Sequence, residues 1–155
     1  MRIVFMGTPE FAVPSLKAVA AEYEVAAVVT QPDRRRGRGQ RYSYSPVKTW
    51  AVKRGLPVLQ PPLIRSTEAV EQLEELGADL FVVVAFGQII PPRLLKAPKL
   101  GCINVHASLL PKFRGAAPIN AAITSGEAFT GVTTMYMASE LDAGDIILQA
   151  KEPIR

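Results

Sequence analysis

Apolar residues along this chain fall in short continuous runs, Ile3 to Met6, Val25 to Val29, Leu80 to Ala85 and Cys102 to Val105, most of them rich in β-branched side chains. Runs of this length without polar alternation suit strands buried on both faces of a parallel sheet. Between them, apolar positions recur at helical spacing. Thr8 is placed to cap a helix that begins at Pro9 and turns Leu16, Val19, Ala20 and Tyr23 to one side. A second helix is predicted over 46–54, with Val47, Trp50 and Ala51 inward and Gly55 as its stop, and a third over 66–76, with Val70 and Leu73 inward and Gly77 as its stop. Farther on, a short helix over 119–125 precedes an alternating, half-buried strand over 131–137, to which 146–150 returns antiparallel. Strands alternating with helices predict right-handed crossovers and an α/β, doubly wound, mostly parallel sheet. Ligands of such sheets collect beyond the carboxyl ends of the strands, where Gly7, Phe86-Gly87 and His106 fall.

Composition narrows the classes. The 155 residues suit one domain, and 48% hydrophobic content supports a substantial core. A formal charge of +4 permits an anionic partner without demanding one. One cysteine, Cys102, forms no internal disulfide, and with one histidine it cannot make an all Cys/His zinc site. In its apolar run Cys102 reads as a buried, inert thiol. The opening Met1 to Met6 run ends too early at Gly7-Thr8-Pro9-Glu10 for a secretory signal, and no run is long enough to span a bilayer. The expected setting is the cytoplasm, with no membrane and no metal.

The candidate chemistry centres on Asn104-Val105-His106. In an extended segment Asn104 and His106 face one side, so a carboxamide donor for oxyanion charge and a proton-transfer group meet the same reacting atoms. A structural, hydrogen-bonded histidine is the competing reading. Asp142, in Leu141-Asp142-Ala143-Gly144-Asp145, would orient the ring and favour its protonated form if it reaches His106. Separately, the stretch from Pro32 to Pro46 carries Arg34, Arg35, Arg36, Arg38 and Arg41 with two tyrosines and is expected to be a mobile exposed loop. Arginine forks match phosphate oxygens, which points to nucleic acid, against the plainer reading of a solvated charged loop. Gly7-Thr8-Pro9 lacks the remaining glycines of a dinucleotide fingerprint, and a Walker lysine is missing, so both nucleotide motifs are excluded.

Asn104-Val105-His106 with Ser108-Leu109-Leu110-Pro111 and Arg114-Gly115, followed by Leu141-Asp142-Ala143-Gly144-Asp145, resembles the formyltransferase family that uses 10-formyltetrahydrofolate. Phe5-Met6-Gly7-Thr8-Pro9-Glu10-Phe11, Thr30-Gln31-Pro32-Asp33-Arg34, Gly37-Arg38-Gly39 and Ser45-Pro46-Val47-Lys48 are similar to the members that formylate methionyl-tRNA. The resemblance implies a Rossmann-like catalytic domain over 1–155, an Asn104, His106 and Asp142 triad, and 10-formyltetrahydrofolate as formyl donor. It implies a folate wall at Phe86, Gly87, Gln88, Ile89 and Ile90 with Ser108, Leu109, Leu110 and Pro111, and an arginine segment near the tRNA acceptor end. A monomer acting on initiator methionyl-tRNA is expected. Relatives continue past the position of Arg155 into the rest of the catalytic domain and a C-terminal tRNA-binding domain, so this chain is expected to hold an incomplete catalytic part. Arg35-Arg36 departs from the small or proline residues common there. The rival readings are a formyltransferase or formyltetrahydrofolate hydrolase acting on another acceptor, and a non-catalytic RNA-binding fragment.

Overall fold

The computed structural model describes residues 1–115, 117–138 and 144–154, with Arg36 described by its backbone alone. Nine strands follow in chain order: β1 (Arg2–Gly7), β2 (Glu24–Val29), β3 (Arg34–Arg36), β4 (Arg41–Ser43), β5 (Val58–Leu59), β6 (Leu80–Val84), β7 (Cys102–His106), β8 (Phe129–Tyr136) and β9 (Ile146–Pro153). The helices are α1 (Val13–Glu22), α2 (Pro46–Lys53), α3 (Thr67–Glu75), α4 (Pro92–Leu95) and α5 (Pro118–Thr124), with a single 3-10 turn at Glu10–Ala12 ahead of α1. Seven strands form one sheet in the order β5-β2-β1-β6-β7-β8-β9. The first five run parallel, and β8 and β9 are antiparallel additions.

The four apolar runs became the central strands for the reason their pattern suggests. Along β1, Ile3 and Phe5 enter one core cluster while Val4 and Met6 enter the other, and all four are buried. The first cluster packs β1, β2 and β6 against α1 and α2 through Leu16, Val47 and Ala51. The second packs the opposite face against α3 and α4 through Val70, Leu73 and Leu94. Helices on both faces leave β1, β2 and β6 almost no wet side, so past the first residues of β1 and β2 every position is apolar.

The helix boundaries match their caps. Ser45 and Ser66, each just outside its helix, accept from the backbone N–H groups of Lys48 and Ala69. Thr8 does not cap, contrary to expectation. A 3-10 turn with Pro9 ahead of it intervenes before α1, and the Thr8 hydroxyl instead donates to the Phe86 carbonyl at 2.8 Å and accepts from Gln31 N. The arginine segment is also not a free loop. It folds as the exposed hairpin of β3 and β4, closed by a turn in which Gly37 takes φ +72° and receives Gln40 N–H at its carbonyl. Arg35 lies over the Tyr42 ring at 5.1 Å, a cross-strand contact that loop composition does not reveal. At the hairpin base, Lys48 Nζ lies 2.8 Å from Asp33 Oδ2 and 3.9 Å from the centroid of the Tyr44 ring.

On the far side of the sheet, all eight residues of β9 are exposed, including Ile146, Ile147 and Leu148. Among the described residues, no helix is long and apolar enough to cross a membrane.

Two measurements test this architecture. The Ser45 hydroxyl both caps α2 and shares a 2.7 Å hydrogen bond with the fully buried Thr30 hydroxyl. Ser45→Ala is expected to lower unfolding stability by about 1–2 kcal/mol, read from the urea midpoint, because it removes the cap and orphans a buried hydroxyl. For Asp33, the hydrogen bond from Lys48 holds the carboxyl below its ordinary value of 3.8, outweighing the opposing effect of burial, with Gln60 adding to it. A carboxyl depressed in the fold contributes stability above its unfolded value and loses that contribution as pH falls through its folded value. Asp33→Asn should therefore be less stable than the parent near neutrality, and the two should converge as pH falls through the carboxyl's depressed folded value, in urea midpoints taken across pH.

Candidate active site

Strand alternation sets the site. On β7, Ile103 and Val105 pack toward the α1 and α2 side, whereas Cys102 joins the α3 and α4 cluster. Asn104 and His106 share the Cys102 face, and where that core stops, a cavity of about 550 Å³ opens at the carboxyl ends of β6 and β7. Asn104 and His106 line it together with Phe86, Gly87, Gln88 and Ile89, so the expected pair and one expected wall meet. Most of the lining is apolar, including Phe11, Pro118, Ile119 and Met137.

His106 is buried, and its Nε2 lies 2.7 Å from the Phe113 carbonyl oxygen. A carbonyl only accepts, so Nε2 carries a proton. Asn104 sits beside Val83 of β6 and opposite Met135 of β8, which brackets it between two paired strands. Asp142 lies outside the described residues. The segment that carries it leaves β8 at Met137, which lines this same cavity.

Backbone strain concentrates here. Among the described residues, four non-glycine positions have positive φ: Gln40, Ala85, Phe113 and Ala117. Ala85 and Ala117 line the cavity, and Phe113 supplies the carbonyl that His106 meets. Left-handed alanine and phenylalanine persist only where surrounding structure imposes them, and such positions gather at functional sites. Gly87, at φ +97°, needs its glycine twice over, because a Cβ there would stand 2.7 Å from the Gln31 carboxamide nitrogen.

Part of the expected wall lies elsewhere. Ile90 turns into the core, 5% exposed, while Ile89 is 83% exposed. Ser108 is fully buried, and its hydroxyl donates to the Lys112 carbonyl at 2.6 Å. Leu109, Leu110 and Pro111, the last after a cis peptide bond, border a separate cavity of about 360 Å³ with Phe129 and Lys151. The Thr133 hydroxyl, which donates to the Ser108 carbonyl and accepts from Leu110 N and from Gln149 Nε2, ties this segment to β8 and β9. Those side chains brace the end of β7 from behind.

Sequence reasoning gave Thr8 a capping role and gave Gln31, Phe11, Ile119 and Met137 no site role of their own. Thr8 and Gln31 bind the ends of β1, β2 and the turn after β6 to one another, and Phe11, Ile119 and Met137 complete the lining. Gln31 and Phe11 stand in motifs that carried the resemblance, the one sequence signal that pointed to them. Cys102 is no part of the chemistry: burial pushes its thiol up to about 12, so it stays neutral. Among the described residues, no cluster of three His, Cys, Asp or Glu side chains could hold a metal ion.

Residues 1–155 match the family described as Formyl transferase. Among curated relatives, a methionyl-tRNA formyltransferase of Moorella thermoacetica is 60% identical over 155 residues, covering 99% of this chain and 50% of that protein. One from Clostridioides difficile is 56% identical over 152 residues, 97% of this chain and 49% of its own length. The chain thus spans about half the length of the curated relatives it matches. Among solved structures, a phosphoribosylglycinamide formyltransferase from Bacillus halodurans superposes with a TM-score of 0.79 at 28% identity, covering 100% of this chain and 81% of that one. A formyltetrahydrofolate deformylase from Pseudomonas syringae gives 0.77 at 25% identity, with 99% and 51% coverage.

Proposed function

Because this chain belongs to the formyl transferase family, we propose that it moves a formyl group from 10-formyltetrahydrofolate to the α-amino group of initiator methionyl-tRNA, in the cytoplasm, for the start of protein synthesis. The observation that carries this reading is the meeting of Asn104 and His106 in one largely apolar cavity with the turn after β6. That cavity fits a flat heterocycle: Phe11, Ile89 and Ile119 offer apolar surface, and Gly87 is exposed beside them. Ser108, Leu109, Leu110 and Pro111 then act by fixing the end of β7, with the donor resting on the wall from Phe86 to Ile89.

When bound, the folate donor supplies a formyl carbon on nitrogen, open to attack by a neutral amine. Asn104 donates an N–H to the formyl oxygen as negative charge gathers there, a contribution that is largest in a dry site. His106, its Nε2 held by Phe113, takes through Nδ1 the proton that the amine loses as the new C–N bond forms, and delivers it to the leaving nitrogen as the old bond breaks. Asp142, the third member of the expected triad, takes the part of orienting that ring. The hairpin residues Arg34, Arg35, Arg36, Arg38 and Arg41 meet the phosphates of the acceptor arm, their forks matching phosphate oxygens.

The direct test is transfer from 10-formyltetrahydrofolate, with methionyl-tRNA and glycinamide ribonucleotide offered as competing acceptors. It is run with the chain alone and with the chain joined to the C-terminal half of the Moorella relative. Formylation of methionyl-tRNA is expected, and exclusive use of the ribonucleotide would overturn the acceptor assignment. His106→Ala should lower kcat by roughly 10²–10⁴-fold with folate affinity little changed, since its role belongs to the transition state. Unchanged turnover would remove it from the mechanism. Neutralising the five hairpin arginines should weaken tRNA binding and flatten the slope of log affinity against log salt, leaving folate binding intact. A salt slope equal to the parent's would count against the hairpin as the tRNA contact.

A further inference from the structure

The turn that forms the cavity wall after β6 is held from outside the cavity. Ala85 and Gly87 both have positive φ, so the turn is not a conformation the chain holds by local preference. Gln31, just past the end of β2, reaches it at two points. Its Oε1 accepts from Gln88 Nε2 at 2.9 Å, and its carboxamide nitrogen fills the space that a side chain at Gly87 would need. Gln31 is itself fixed through its backbone: its N–H donates to Thr8 Oγ1, whose proton goes to the Phe86 carbonyl, and its carbonyl accepts from Gln60 Nε2. Gln60 also donates to Asp33 at 2.8 Å, the residue that opens the arginine hairpin. Gln88 is spanned in turn by Ile64 N–H and the Pro61 carbonyl. A second cavity, of about 260 Å³, lies between hairpin and turn, bordered by Gln31, Arg34 and Ser43 and sharing the wall of Ala85, Phe86 and Gly87 with the first.

Resting on the reading of the larger cavity as the formyl-donor site, we infer that Gln31 is a positioning residue for that donor. It lies outside the lining of the cavity that holds Asn104 and His106 and acts by holding the backbone of Gly87 and Gln88 where the folate rests. Loss of its carboxamide leaves Gln88 Nε2 short of a partner and frees a strained turn to relax, so donor affinity falls while the acceptor contacts on the hairpin stay.

The test compares the parent chain with Gln31→Met and Gln31→Glu. Affinity for 5-formyltetrahydrofolate, a stable relative of the donor, is read by calorimetry; affinity for initiator tRNA by filter binding; folding by melting temperature. Methionine keeps the volume and removes the acceptor, and is expected to weaken folate binding roughly tenfold with tRNA affinity within about twofold. Glutamate still accepts from Gln88 and is expected to recover most of the folate affinity, which a merely space-filling role would not require. Equal folate affinity in parent and methionine variant overturns the inference, as does a parallel loss of folate and tRNA binding. Should the methionine variant fail to fold, folate binding by the glutamate variant decides alone: near-parent affinity supports the inference and a tenfold loss overturns it. A parent chain that binds no folate removes the donor-site reading itself, and the inference with it, a result distinct from the other failures.

Discussion

Strands β1, β2 and β6 lie between two helical layers, and almost every side chain they carry is buried. Such a sheet has no room for polar side chains along its length, so polar chemistry is displaced to the strand ends. The carboxyl ends of β1, β6 and β7 accordingly carry Thr8, the turn after Val84 and His106. One face of β7 contributes Asn104 and His106 because the strand outlasts the helical layer that covers Cys102. The site is in this sense the place where two-sided burial stops.

At that boundary the structure carries strained backbone and dense hydrogen bonding. Ala85, Phe113 and Ala117 sit in a region of φ that costs about 1–3 kcal/mol each for non-glycine residues, and the surrounding contacts hold them there. The side chains of Thr8, Gln60 and Gln88 satisfy backbone groups of Phe86, Gln31, Ile64 and Pro61 that would otherwise be stranded between strand ends. On the opposite flank, Thr133 does the same for the segment after β7. A cavity wall built this way is preorganised, which is what the proposed transfer between two reactants with a developing charge requires.

The resemblance to formyltransferases of different acceptors follows from this division. The fold is common to them: solved structures named for a ribonucleotide acceptor and for deformylation superpose on nearly the whole chain with TM-scores of 0.79 and 0.77. In the proposed reading, acceptor choice falls to the arginine hairpin, which Lys48 and Asp33 anchor at one corner of the sheet.

Sequence alone determined the elements whose signals are local. The four buried strands, the helices over 46–54 and 66–76 with their glycine stops, and the shared face of Asn104 and His106 all follow from side-chain periodicity and local turn chemistry. The arginine hairpin was not legible, because its strands lack alternation and depend on a glycine turn and an Arg35 to Tyr42 contact across the pair. Nor was the diversion of Thr8, since a hydroxyl before a proline reads as a cap until Phe86, 78 residues away, brings its carbonyl within reach. Only the tertiary structure decided which half of the expected folate wall meets the cavity. The turn after β6 lies above the same sheet face as Asn104 and His106, whereas Leu109 to Pro111 are drawn behind β7 by Thr133 and Gln149. These are contacts between chain segments far apart in sequence, and periodicity carries no record of them.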